Sequence, residues 1–265
     1  MVKVKILSAV FISLLLLTAT GCSNVVTSEE FMQTYQVRSG TIIEIINPNG
    51  SVTITGWDQN ETEIKAVKES LRGREALDEI DINIDIADKL LIETVHPSAN
   101  TVVSVDYEIK VPGDLLIGII DCSNGNIILE NVSGNPELTT SNGSINATRV
   151  NGIVKADSSN GNITATGVRG LAGLKTSNGN ILAELPQLHE NLEIKTSNGS
   201  ISLLLSPSLS VDLDAKTSNG SISISNLNID TALFERTHLS GEMNGGGLRI
   251  TLETSNGSIE LAPLR

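Results

Sequence analysis

Residues 195–201 read KTSNGSI, and residues 216–222 read the same seven letters again. Shorter copies begin at Cys122 (CSNGNI), Thr140 (TSNGSI), Ser158 (SSNGNI), Thr176 (TSNGNI) and Thr254 (TSNGSI). The Ser-Asn-Gly triplets start at Ser123, Ser141, Ser159, Ser177, Ser197, Ser218 and Ser255, at intervals of 18, 18, 18, 20, 21 and 37 residues. A near-constant period of this size marks a repeat architecture. The last interval is close to two periods.

Each position around the triplet is patterned. Four residues after every Ser stands an Ile: Ile127, Ile145, Ile163, Ile181, Ile201, Ile222 and Ile259. Two further on stands Leu, Ala or Ile, with mostly polar residues between. That alternation is the period-2 signature of a half-buried strand. Upstream the pattern mirrors itself, with an apolar residue three before each Ser and a small one (Cys122, then Thr or Ser) directly before it. Each unit therefore reads strand, turn, strand. Asn and Gly tolerate positive φ, which a sharp turn uses. The expected turn formers are Asn124, Gly125, Asn142, Gly143, Asn160, Gly161, Asn178, Gly179, Asn198, Gly199, Asn219, Gly220, Asn256 and Gly257. A second Gly turn falls midway in the early units, at Val132 (VSGN), Val150 (VNGI) and Val168 (VRGL).

Two all-β architectures fit. In a β-solenoid each unit of about 18 residues is one two-strand coil, and like residues stack on neighbouring coils. In an antiparallel meander each Asn-Gly closes a hairpin. Inward and outward parity is the same in both. The solenoid is the expected fold, because near-identity between units is what stacking of like on like demands. In that stack Gly257, in the last repeat, should be a terminal turn with few neighbours.

The whole chain narrows the function. Its 265 residues carry a net charge of −13, which leaves no positive footprint for nucleic acid. Aromatics are 2%, so Ile, Leu, Val and Ala must form the core. The opening MVKVKILSAVFISLLLLTATGC has a positive start, a short apolar run and small residues before a Cys, the layout of an export signal over residues 1–21. Ala-Thr-Gly-Cys resembles a bacterial lipobox, which implies that Cys22 is acylated and tethers the protein to a membrane. Residues 22–36 then read as a polar tether, 37–112 as an N-terminal β region, and 113–265 as the repeat solenoid, continuous with it.

Residues 105–112 (VDYEIKVP), the repeated SNG[SN]I and residues 245–261 (GGGLRITLETSNGSIEL) together resemble the bacterial DUF4097 group of candidate adhesins. The match runs from about Thr41 to Leu264. The resemblance implies a β-helical, surface-associated protein.

Catalytic and metal chemistry find little support. Asp81-x-Asn83-x-Asp85 suggests a calcium loop, but Ile86 replaces the sharp-turn Gly and Ile92 the bidentate Glu. His96, His189 and His238 are far apart in sequence. No G-x-S-x-G elbow occurs, and no cofactor motif. Cys122 takes the inward slot used elsewhere by Thr and reads as an inert core residue. The most suggestive surface feature is the outward residue two before each Ser, which is Lys175, Lys195 and Lys216 in three successive repeats. In sequence order these form a basic stripe, either balanced by Glu193 and Asp214 on the same face and guarding against lateral sheet association, or able to dock an anionic partner such as an acidic envelope polysaccharide. The expected function is a non-catalytic envelope binding or adhesion module. Alternatives are a structural or sensory envelope protein with a protein partner, and a polysaccharide-active enzyme.

Overall fold

The computed structural model describes residues 26–96 and 102–264; the expected signal segment and Cys22 lie outside them. The fold is an all-β solenoid. Each repeat is one coil, with a strand before the Ser-Asn-Gly bend and a strand after it. Pre-bend strands stack in one sheet: Glu137–Asn142 lies between Leu116–Asn124 and Ile153–Asn160, with Leu138 opposite Ile120 and Ala156. Post-bend strands stack in a second: Ile145–Asn151 lies between Ile127–Ser133 and Ile163–Thr166. All these pairs are parallel and in register. A hairpin would make its two strands antiparallel neighbours, so the meander is excluded.

The two sheets enclose one narrow core running from Ile43 to Leu261 without interruption, so the N-terminal region and the repeats share it. Its rungs are the Ile and the small residues picked out by parity. Ile145, Ala147, Ile163 and Ala165 are all within 1% of complete burial. Ala in these slots suits a narrow core, while the N-terminal coil buries one ring, Tyr107, at the rung in line with Val52 and Ile127. In the early coils the inward series runs 127, 129, then 132, and likewise 145, 147, 150. The slip is made by Asn131, Arg149 and Gly167, which have φ of 56°, 53° and 61°. A left-handed residue there turns the next Val back into the core. The later strands Ile181–Leu185 and Ile201–Leu205 keep strict alternation and need longer returns, hence the intervals of 20 and 21.

Spatial order departs from chain order at both ends. From 116 to 205 each coil stacks on its predecessor. The coil 42–57, however, sits between the coil of Leu116–Asn124 and the coil of Lys89–Val95 with Val103–Pro112. At the other end the last repeat, Leu248–Asn256 and Ile259–Pro263, lies between the coil 192–205 and the coil 211–224. The interval of 37 is thus one coil plus a capping hairpin, Asp230–Phe234 and His238–Met243, antiparallel on the outer edge of Val211–Asn219. Antiparallel strands also close the opposite end: Asp81–Ile86 on Lys89–Val95, and Thr62–Ser70 on Val103–Pro112. The expected tether is shorter than residues 22–36, because Thr27–Tyr35 is a strand paired along its length with Thr62–Ser70. Its alternating Phe31 and Tyr35 pack on the core. The charged stretch after Lys68 holds one helical turn, Arg74–Asp78, which buries Leu77.

Candidate functional site

The edge formed by the Ser-Asn-Gly bends is built by repetition of three hydrogen bonds, and each accounts for a letter. The triplet Asn side chains form a chain along the stack: Asn142, Asn160, Asn178 and Asn198 each donate through Nδ2 to Oδ1 of the preceding Asn, at 2.8–3.0 Å. Asn256 continues it to Asn198 at 2.9 Å, and Asn219 to Asn256 at 3.0 Å. The residue after Gly is Ser or Asn because its side chain accepts a backbone N–H from the next coil. Ser144 donates to Asn126 Oδ1 at 2.8 Å, and Asn162 to Ser144 Oγ at 3.2 Å. The inward Thr hydroxyl donates to the Gly carbonyl of a neighbouring coil, as in Thr176 to Gly161 at 3.0 Å and Thr254 to Gly199 at 2.8 Å. A buried hydroxyl is thereby satisfied.

Gly125 and Gly257 have the expected positive φ, at 155° and 158°, but the other five turn glycines are required for a different reason. Gly143, Gly161, Gly179, Gly199 and Gly220 are not among the positive-φ residues, nor are their Asn partners. A Cβ on Gly179 would instead lie 2.0 Å from the Gly161 carbonyl oxygen, which is backbone and cannot swing away. Gly257 is equally constrained, 2.0 Å from the Gly199 oxygen. Gly257 is last in sequence but interior in space, so the expectation of a lightly packed terminal turn is corrected.

Cys122 fills the Thr slot as expected. It is fully buried, its Sγ donates to the Gly50 carbonyl at 3.0 Å, and burial pushes the thiol up to about 12. It is therefore protonated and unreactive at neutral pH.

Outside the bends, four successive coils line a shallow groove of about 350 Å³. It is lined by the outward residues Thr139, Asp157, Lys175 and Lys195 and by the triplet serines Ser141, Ser159, Ser177 and Ser197. These serines are exposed or half-exposed. Sequence reading gave the triplet Ser only a local role in the turn; its presence in all seven copies was the signal for more. Of the three lysines expected to line up, the structure brings Lys175 and Lys195 together. Glu253 stands between Lys195 and Lys216, because the last repeat inserts there. The consecutive basic stripe is thus interrupted. Each ammonium also has an acid: Lys175 with Glu193, Lys195 with Glu253 at 2.7 Å, and Lys216 with Asp214 at 2.9 Å. The hydrogen bond from Lys175 holds Glu193 below the usual carboxylate range. Burial raises Asp214, but the bonds from Lys216 and His238 outweigh it and leave it lowered. The groove is consequently mixed in charge and rich in hydroxyls.

Among the described residues no group of three or more His, Cys, Asp or Glu is placed to hold a metal. Asp81, Asn83 and Asp85 are exposed on the outer face of an end strand. Among the described residues no helix is long and apolar enough to cross a membrane.

The family model Toastrack DUF4097 matches residues 119–262. Among solved structures, a candidate adhesin from Bacteroides fragilis is 13% identical, covering 88% of this chain and 97% of its own, with a TM-score of 0.44. A candidate cell adhesion protein from Clostridium sporogenes is 10% identical over 90% of this chain and 100% of its own, with a TM-score of 0.42. A candidate adhesin from Parabacteroides distasonis is 12% identical over 88% and 97%, with a TM-score of 0.41. No curated protein matches the chain.

Proposed function

This chain belongs to the Toastrack DUF4097 family, and from that premise we propose that it is a non-catalytic binding module of the cell envelope whose groove takes an extended, hydroxyl-rich polymer such as an envelope polysaccharide. The observation that carries this reading is the groove's own periodicity. The same two outward positions recur in four successive coils, one strand spacing of about 4.8 Å apart. A sugar unit in an extended glycan advances by a comparable distance, so a chain lying along the stack would meet a fresh Ser hydroxyl and a fresh polar side chain at each unit. Side chains held in register by the Asn chain are pre-ordered, which lowers the entropic cost of binding. Lysines already paired with carboxylates favour a ligand read by hydrogen bonds over one captured by net charge.

Anchoring through Cys22 fits the same picture. The described chain enters the stack at Val26, beside the end strand Thr27–Tyr35. So short a link from an acylated Cys22 would set that end of the solenoid against the membrane and leave the groove, several coils away along the stack, accessible. Cys22→Ser should move the protein out of the membrane fraction; a variant that stays there at mature size rejects the anchor.

The groove is tested by Ser159→Trp with Ser177→Trp, two exposed positions whose new rings would fill it. On a glycan array the parent should bind at least one extended polysaccharide, and the double variant should lose about tenfold or more while keeping its strand circular dichroism. A blank array, together with an envelope pull-down that returns only a protein, would overturn the reading. Lys175→Gln, Lys195→Gln and Lys216→Gln combined should cost less than about threefold; a large, salt-sensitive loss would restore charge as the principal determinant.

A further inference from the structure

The insertion of the last repeat has a consequence for self-association. We infer that residues 248–263 form an exchangeable coil, through which two copies of this chain associate by each placing its last repeat in the other's slot between the coils 192–205 and 211–224. Both walls of that slot are ordinary joints of the solenoid. On one side Asn256 donates to Asn198, Thr254 to the Gly199 carbonyl and the Ser258 N–H to Ser200 Oγ. On the other, Asn219 donates to Asn256 and Thr217 to the Gly257 carbonyl. These are the bonds found between coils elsewhere in the stack, and none of them distinguishes a repeat of the same chain from that of a second copy. An exchanged dimer would keep every joint and change only the connection.

The connection is suited to that change. Asn244, Gly245, Gly246 and Gly247 are four successive residues with positive φ, at 50°, 86°, 78° and 159°. In this short span the chain crosses from the outer edge of Val211–Asn219, where His238–Met243 pairs, to its inner edge, where Leu248–Asn256 pairs. Asn244 holds the bend closed by donating to the carbonyls of Pro207 and Leu209, at 3.0 and 2.8 Å. Short hinges invite exchange, and glycines adopt extended conformations as readily as left-handed ones, so this bend can open at little backbone cost while the native contacts between coils are retained. The capping hairpin need not move, since it pairs with the far side of Val211–Asn219.

The test uses full-length chain with Cys22→Ser. Ser202 and Glu260 are register partners on the outer face of neighbouring strands, at a spacing a disulfide can bridge. One preparation carries Ser202→Cys, a second Glu260→Cys, and the two are mixed at high concentration, warmed, cooled and oxidised. An exchanged dimer predicts an interchain disulfide at least fivefold above that from a control mixture of Thr164→Cys with Glu260→Cys, whose sites lie more than one joint apart. Inserting four Gly/Ser residues after Gly246 should lower the yield severalfold. Sedimentation of chain without introduced cysteines should show a dimer that forms under the same treatment. A monomer throughout, cross-linking no better than the control, or a yield indifferent to the hinge insertion would overturn the inference. None of these readouts depends on glycan binding.

Discussion

Between Leu116 and Leu205 the solenoid is written as it is read: each coil lies on the one before it, and most triplets are 18 residues apart. Beyond Leu205 the chain builds an outer coil, folds a hairpin over it and returns to fill the space beneath. Both regions use the same letters and make the same bonds. The Asn chain passes from Asn198 through Asn256 to Asn219 with no break in geometry. The difference teaches that the triplet specifies that coils stack and in what register, but not which coil lies next to which. Order is set by the connections, through their length and through what caps the edge.

The sharpest way to break this comparison is to put a side chain on a turn glycine in each region. Gly179→Val and Gly257→Val should each cost about 3 kcal/mol or more, since a Cβ meets backbone that cannot yield. The two losses should be similar in urea denaturation. Gly220→Val, in the outer coil, should cost less, because that coil can tilt away from its single Ser-Asn-Gly neighbour. Gly113, which has open space around its Cβ position, should accept Ala with little change. If Gly257→Val proved milder than Gly220→Val, the insertion of the last repeat would be wrong.

A smaller effect sharpens the same point. Asn160→Ala and Asn256→Ala each remove a side chain that both donates and accepts along the ladder, and each should cost about 1 kcal/mol. Asn219→Ala, at the end of the chain of amides, should cost about half as much. Thermal unfolding of the three variants orders them; equality of all three would mean that the amides contribute nothing cooperative.

Cys122→Thr should be nearly neutral, within about 0.5 kcal/mol. It restores the hydroxyl donor used in the same slot of most other coils. Thr176→Val, the reverse loss of a donor, should cost about 1 kcal/mol. A large penalty for Cys122→Thr would show that the first triplet coil, packed on the coil 42–57, is shaped differently from the rest.

The smallest effect is electrostatic. The carboxyls of Glu193 and Asp214 are lowered in the folded protein. Groups of this kind contribute stability above their unfolded pKa, near about 4, and lose it as pH falls through the folded value. Stability should therefore decline modestly below about pH 4, and less so in Glu193→Gln. The partners are substantially exposed, so the change should be slight and should shrink further in high salt. A decline unaltered by Glu193→Gln would assign the acid sensitivity elsewhere.

Much of the coil was legible because its causes are local. Period-2 parity placed Ile127, Ile145 and Ile163 inward, and the identity of the letters pointed to stacking. The small inward Thr was recognisable by position, though its partner carbonyl lies on another coil. The groove was only half legible. The lysines were visible, but their neighbours were inferred from chain order, and Glu253 is 58 residues from Lys195 in sequence yet beside it in space. The serines lining the groove were read as turn formers because an exposed Ser in a turn has an ordinary local explanation.

The sequence by itself determined the repeat unit, the face each residue turns to the core and the register of one coil on another. These follow from strand periodicity and from hydrogen-bonding groups that recur at fixed positions. Tertiary structure alone decided the order of coils at the two ends, the break in the lysine row and the reason for the glycines. The physical reason is degeneracy. Identical joints are nearly equal in energy, so local chemistry does not choose among them; the choice falls to the connections, the capping strands and the close approach of one backbone to the next.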